Sequence, residues 1–539
     1  MKKFWTNGDS LIWLTGGALA LSLLMVVGLV LLVIVNGMGF FWPGDLARTK
    51  LKDGRTLLGP VTAREAIPQP DAPAGTPVHY RDQIKQGNRD LYGADFVWVD
   101  DAEVLSTDYP KNALVVERLE WGNFHGYLKA IKDGEQTLAE GNDAVWRVFQ
   151  ERFPGVEALR ANIRRVEKDD IGAINASQEK TRLSLKKLEL AGVTDGEEVR
   201  RLTKEAEQLQ IDYLSRAEEV SRLRESMTLK LVLEASDGQE KEMELANVIR
   251  LYFPNNLNLL EKAGFYVSKF WEFISADPRE SNTEGGVFPA IFGTVMMVLI
   301  MSIIVTPLGI IVAFYLREYA KQGLFVSIVR IAVNNLAGVP SIVFGVFGVG
   351  FFIYFVGGNI DQWFFSERLP TPTFGTGGIL WASLTLALLT VPVIIVATEE
   401  GLAAIPMGVR EASLALGATK FETNWRIVLP AVLPSIMTGL ILAMARAAGE
   451  VAPLMITGVV KLAPTLPVDG IWPFVHLERK FMHLGFHIYD VGFQSPNVDA
   501  ARPMVYTTTL LLLAIVVILN LAAILLRSRL RKKYALSTV

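Results

Sequence analysis

The sequence predicts an all-α polytopic membrane protein with six transmembrane helices, interrupted by a large α+β insertion that contains a helical hairpin. Three observations lead there. Half of the 539 residues are hydrophobic and 20% are charged, with a mean hydropathy of +0.31. That is too apolar for an ordinary soluble chain and too charged for one lying wholly in lipid. Apolar stretches of ~20 residues or more, long enough to cross a hydrocarbon core as helices, fall near 12–36, 287–316, 327–357, 376–398, 431–460 and 504–526. Between the first and second, residues 43–285 have the composition of an aqueous domain. The net charge of −3 suggests no nucleic-acid partner. The lack of cysteine excludes disulfides, thiolate metal sites and cysteine nucleophiles.

Residues 1–42 hold the N-terminal end and the first apolar stretch, "LIWLTGGALALSLLMVVGLVLLVIV". A signal peptide has an apolar region of only about 7–15 residues and a small-residue cleavage site. The "NGMGFFWPG" that follows offers no such site, so a retained span is expected. Orientation follows from Lys and Arg in the short connections. Segments 1–11, 317–330, 399–429 and 527–539 carry two, three, three and five of them, against one and four in 358–375 and 461–503. Both termini are therefore expected inside, with 43–285 outside and 531–539 a basic inner tail.

Within the insertion, "FVWV", "ALVVERLEW" and "GYLKAIKDG" read as strands. "LKLVLEASDGQEKEMEL" reads as a hairpin turning at Asp237-Gly238. Residues 156–228 are charged and helical, with Val199, Leu202, Ala206, Leu209 and Tyr213 forming a seam at 3,4,3,4 spacing. The break "AGVTDGEE" at 191–198 makes two antiparallel arms, serving either as a spacer or as a docking element. "NNLNLLEKAGFYVSKFWEFI" sets Leu259, Phe270, Trp271 and Phe273 beside Lys and Glu, a pattern suited to a helix at the membrane interface.

Residues 286–530 hold the other five spans. In the third, Pro340 removes a backbone bond, while Gly338, Gly345, Gly348 and Gly350 permit close helix approach. Asn334 and Asn335, placed in the same span, either line a polar path or bond between helices. Within the inner connection 399–430, "REASLALGATKFETNWRIVLP" predicts a short helix over Glu411–Leu416, ended by Gly417 at positive φ. Thr419 with Glu422 then forms a capping box that starts a second helix, and Pro430 marks the next span. Glu399 and Glu400 read as solvated boundary charges.

"ARAAGEVAPLM" places Arg446 inside the fifth span, ~24 Å beyond Pro430 at 1.5 Å per residue. Glu450 follows at i+4. A charge at that depth costs about 2.5–3.5 kcal/mol on insertion scales. It therefore needs a partner or a wet cavity. The pair is either a structural ion pair or a cation beside an anion pathway, with Glu450 orienting the guanidinium and Gly449 leaving room for approach. Arg suits a tetrahedral oxyanion because its planar fork offers two donors. His483 and His487 at i, i+4, with His476 upstream, lack an obvious ligand set and read as packing groups, so no metal site is expected.

The pattern E-A-S-x-x-x-G-x9-I-x-L-P over 411–430 resembles the cytoplasmic loop of ABC importer permeases that docks on the ATP-hydrolysing subunit. Glu411, Ala412, Gly417, Ile427, Leu429 and Pro430 match, and Ser413 stands where the family has a second Ala. The R-A-x-G-E of 446–450, the "VAPL" after it and "NLAGVPSIVFGVFG" resemble the PstA-type permeases of phosphate-specific importers over roughly 286–530. The resemblance implies a type I ABC importer permease core and a PstC-type permease partner forming a heterodimer. It further implies two copies of an ATP-binding subunit, a periplasmic phosphate-binding protein, and a place in the bacterial inner membrane among its lipids. It assigns Arg446 to guiding phosphate and Glu411–Gly417 to transmitting the ATPase movement. ATP would act on the partner, with no cofactor on this chain. No Gly-Lys dipeptide occurs in the sequence, so a P-loop is not expected. The insertion departs from that family's compact form. Two alternatives stay open: another oxyanion (sulfate, molybdate or a phosphonate), and a non-transporting sensor or scaffold that uses the outer domain.

Overall fold

The computed structural model describes residues 9–68, 78–495 and 498–534. Lys2, Lys3 and the 535–539 end of the expected basic tail lie outside the described residues. The chain divides into two compact units, one of residues 1–40, 287–365 and 369–539, the other of 41–286 with 366–368.

In the first unit, six helices among the described residues are long and apolar enough to cross a membrane: Leu11–Phe41, Phe288–Tyr319, Ser341–Phe364, Ile379–Ala404, Lys420–Gly449 and Val498–Arg529. The fourth packs on the second and the fifth, the fifth on the sixth, and the sixth on the first. Met297, Met301, Val305, Leu386, Met444 and Phe481 share the central cluster. Lipid supplies no hydrophobic drive between helices, so association depends on close packing. Small residues make that possible. A Cβ at Gly309 would come 2.5 Å from Ile394, and one at Gly439 would come 2.6 Å from Ala397.

Two apolar stretches are broken where the sequence reading ran them on, and a proline follows each break. The third apolar stretch is two helices, Leu324–Leu336 and then Ser341 onward. Asn334 and Asn335 thus sit in a short helix ahead of the third span rather than inside it. The fifth span stops at Gly449 instead of running to 460, and a separate turn of helix follows at Ala452–Thr457. A proline ring strikes the carbonyl four residues back. For Pro340 that residue is Leu336, and for Pro453 it is Gly449, in each case the last residue of its helix.

Of the four glycines expected to allow close approach in this region, Gly345 and Gly348 do so. A Cβ there would meet Pro453 Cα at 2.7 Å and Thr385 Oγ1 at 2.3 Å. Gly350 faces open space.

The second unit is α+β. Its larger antiparallel sheet runs Glu240–Glu244, Leu229–Glu234, Phe124–Asp133, Leu114–Arg118, Val248–Tyr252, with Gln136–Glu140 also paired to Phe124–Asp133. Alternate residues of these strands, Leu231 and Leu233 among them, build the core against Val145, Phe149 and Val156 of helix Asn142–Arg165. That helix continues into Ile171–Leu190, and Glu197–Glu225 returns beside it. Along the return arm, Leu202 and Val220 are buried and Ala206, Leu209 and Tyr213 are half-buried, so the 3,4 seam faces the outgoing arm.

Candidate functional site

Two places in the membrane unit hold the residues singled out from sequence, and they lie at opposite ends of the fifth span.

At the first end, a helix runs over Met407–Ala415, starting four residues earlier than expected, directly after Pro406, which holds Ile405 extended and so separates it from the fourth span. It ends as the glycine predicts. Gly417 has φ +87°. Its N–H donates to Leu414 O at 3.0 Å, and Ala418 N–H donates to Ser413 O at 3.2 Å, the double closure that a left-handed residue allows. Thr419 then caps the next helix. Its hydroxyl accepts from Glu422 N–H at 3.2 Å, and the Glu422 carboxylate accepts from Thr419 N–H at 3.0 Å. That helix does not stop at Pro430: it continues as one span from Lys420 to Gly449. A wider, π-type turn over Asn424–Val428 precedes Leu429 and Pro430 within it.

Side chains tie this element to three spans. Ser413 and Thr423 hydroxyls meet at 2.8 Å, both buried, which joins the two helices. Arg410 donates to Glu318 at 2.9 Å and to the carbonyls of Ile405 and Leu402 at 2.8 and 2.9 Å. The Arg410–Glu318 pair is nearly enclosed, at 13% and 11% side-chain exposure. Lys420 Nζ donates to the Glu318 carbonyl and sits 5.0 Å over the Tyr319 ring. Beneath them, Val428 and Val432 pack with Leu402, Ile405 and Ala313, and Leu429 joins that cluster. Ile427 and Pro430 are half-buried, whereas Glu411, Ala412 and Gly417 are exposed.

The sequence reading missed Arg410, Glu318 and Thr423, which brace the element, and the exposed stacked pair Phe421–Trp425. An Arg directly before Glu411 and aromatics at i, i+4 were the available signals. Glu399 is not a free boundary charge: it accepts from Arg330 at 3.2 Å.

At the other end, Arg446 Nε reaches Glu450 Oε1 at 3.4 Å, with side-chain exposures of 35% and 20%. Glu450 is no longer on the helix. It is the capping residue, with extended φ −77° and ψ 134°. The pair therefore forms across a helix terminus, and the guanidinium keeps donors that this one contact does not use. A Cβ on Gly449 would meet nothing within 4 Å.

The structure brings Arg446, Gly449 and Glu450 together. It records no hydrogen bond from them to Asn334 or Asn335, whose side chains are exposed, although Leu336 and Val339 pack on the same cluster as Met444 and Ala447. His483 and His487 are buried, and burial pushes their imidazoles down to about 3 and about 4. His476 is held by Asp469 and Glu478 at 3.0 and 3.3 Å. Among the described residues no group of three or more His, Asp or Glu is arranged to hold a metal ion.

Residues 305–533 match the family described as the binding-protein-dependent transport system inner membrane component, so this part of the chain is similar to the permease domain of that family. A probable ABC transporter permease protein of Bacillus subtilis, YqgI, is 29% identical over 258 residues, 47% of this chain and 81% of its own length. The phosphate transport system permease protein PstA of Mycobacterium leprae is 36% identical over 203 residues, 37% of this chain and 61% of its own. The phosphate transport system permease protein PstC of Xylella fastidiosa is 32% identical over 222 residues, 39% of this chain and 66% of its own. The chain thus spans about three fifths of the length of the PstA relative it matches. Among solved structures, an inward-facing MetNI methionine ABC transporter is 19% identical with a TM-score of 0.34, covering 49% of this chain and 98% of that chain.

Proposed function

We propose that this chain is a transmembrane permease subunit of an ATP-driven importer of inorganic phosphate, forming the path with a second permease and driven by a separate ATPase. The observation that carries the reading is the braced element over 407–430. It is a pair of short helices whose outer face is exposed while its inner face is bonded to the second, fourth and fifth spans. A partner pressing on Glu411, Ala412, Leu414 and Leu416 moves a body continuous with the helix that carries Arg446. The names of the PstA and PstC relatives support phosphate as the cargo.

In this reading Arg446 offers spare donors to a tetrahedral oxyanion, and Glu450 turns the guanidinium and keeps it from binding the anion too tightly. Asn334 and Asn335 are assigned to lining the same path as neutral polar groups. The termini face the cytoplasm and residues 43–285 the periplasm, with an external binding protein delivering the anion.

The test is ATP-driven uptake of labelled phosphate into vesicles holding this chain with a PstC-type permease, an ATPase and a phosphate-binding protein from the same organism. Uptake that persists in excess sulfate supports the reading. An assembled, ATP-hydrolysing complex that moves sulfate in preference to phosphate, or moves neither, overturns it.

A further inference from the structure

Helix Leu259–Ser275 has its faces reversed relative to a helix on a water-facing surface. Leu260 is 85% exposed, Val267 65% and Trp271 66%. With Ala263, Gly264 and Phe270, also exposed, they form one face at spacings of three and four. No charged residue lies on that face. Glu261, Lys262, Lys269 and Glu272 occupy the flank and the opposite side, where they are engaged. Lys262 pairs with Asp45 at 2.5 Å and Lys269 with Glu117 at 2.6 Å, while Glu272 takes Arg250 at 3.1 Å and Arg279 at 2.9 Å. Glu261 accepts from the Asn258 N–H at 2.8 Å in a capping box. Phe273, read from sequence as part of the apolar surface, is buried.

We propose that this face lies in the bilayer surface, with Leu260, Val267 and Trp271 in the boundary between headgroups and acyl chains. Chain position and chemistry both select lipid over a protein partner. The first span ends at Phe41, and the Phe41 ring packs on Tyr266, Phe270 and Phe273 at 5.8, 5.7 and 5.3 Å. The second span begins at Phe288, soon after the helix ends. The helix is therefore held by the residue at which the chain leaves one membrane crossing, shortly before it enters the next. The chemistry agrees. Tryptophans gather at membrane interfaces, and Trp271 is joined by a second exposed Trp, Trp42, whose ring lies 6.4 Å from Tyr266. A protein interface carries hydrogen-bonding and Arg groups among its apolar ones, and this face presents only small, aliphatic and aromatic side chains with two serines at its edges. A helix apolar on its free side and charged on the other lies in the interface plane.

The cysteine-free chain gives a direct test. Leu260→Cys, Val267→Cys and Trp271→Cys, with Lys204→Cys on the exposed helical arm as control, are spin-labelled in the full chain in nanodiscs of phosphatidylethanolamine and phosphatidylglycerol. Accessibility to oxygen and to a water-soluble nickel chelate is then compared. The proposal expects the three face labels to favour oxygen over the chelate by about tenfold relative to position 204, and three separate positions guard against one variant misfolding. Chelate accessibility at all three equal to that at 204 overturns it. So does protection that develops only when the binding protein or another subunit is added, which would make the face a protein contact.

Discussion

The two ends of the helix Lys420–Gly449 are held in opposite ways. At Lys420 the chain is closed by a glycine turn, capped, cross-linked by Ser413 to Thr423 and clamped through Arg410 to Glu318. At Gly449 the helix ends with Ala447 and Ala448 buried in the central cluster, but among the described residues its charged pair makes one 3.4 Å side-chain contact between two partly exposed groups, with open space beside the glycine. On the proposed function, the helix is braced where a partner would press on it and keeps spare guanidinium donors where an anion would pass. An element that transmits displacement has to resist deformation. A group that binds and releases an anion has to keep donors unspent.

Several substitutions sharpen that contrast. Arg410→Ala strands Glu318 in a nearly enclosed site. Removing one partner of a buried pair costs about 3–5 kcal/mol, so the thermal midpoint in detergent should fall steeply and ATP-coupled uptake should be lost. A midpoint equal to wild type would mean that the clamp does not hold the element. Gly417→Val forces a β-branched residue to φ +87°. The expected loss is about 1–2 kcal/mol, read as a lower midpoint, with Gly417→Asn recovering part of it. Thr419→Ala removes the cap from Glu422 N–H and should cost about 1 kcal/mol; an effect below a few tenths would show that the turn is over-determined. Gly449→Ala is the smallest: with nothing within 4 Å of the new methyl, stability should stay within about 0.5 kcal/mol. A large change there would break the comparison, because it would show that the space beside Gly449 is filled after all.

Much of the first end was legible in the sequence because its determinants are local. A left-handed glycine and a Thr-x-x-Glu box act over three or four residues, whereas Pro430, read as the start of the span, lies inside one continuous helix. The six apolar stretches were legible for the same reason, since length and hydropathy need no tertiary knowledge. Their ends were not. The breaks at Leu336 and Gly449 follow from Pro340 and Pro453, but the uninterrupted hydrophobicity on either side of each proline masked them. The clamps lay beyond reach altogether. Arg410 meets Glu318 across 92 positions and Arg330 meets Glu399 across 69, and only the packing of the second span and of helix Leu324–Leu336 against the fourth span brings such pairs together. Asn334 and Asn335 were placed in a span because the pattern there is apolar, whereas the structure leaves them exposed on a separate helix.

The central claim is that the Arg446 end serves the solute and not the fold, and Arg446→Ala in the complete, reconstituted complex tests it most directly. Thermal midpoint and phosphate uptake are measured on the same preparation. A partly exposed ion pair is worth only about 0.2–1 kcal/mol, so the midpoint should barely move. The loss of a hydrogen bond to a charged ligand, about 1.5–3 kcal/mol, should cut uptake by roughly 10- to 100-fold. Uptake at the wild-type rate, or a loss that merely tracks unfolding, would return Arg446 to a structural role and contradict the account.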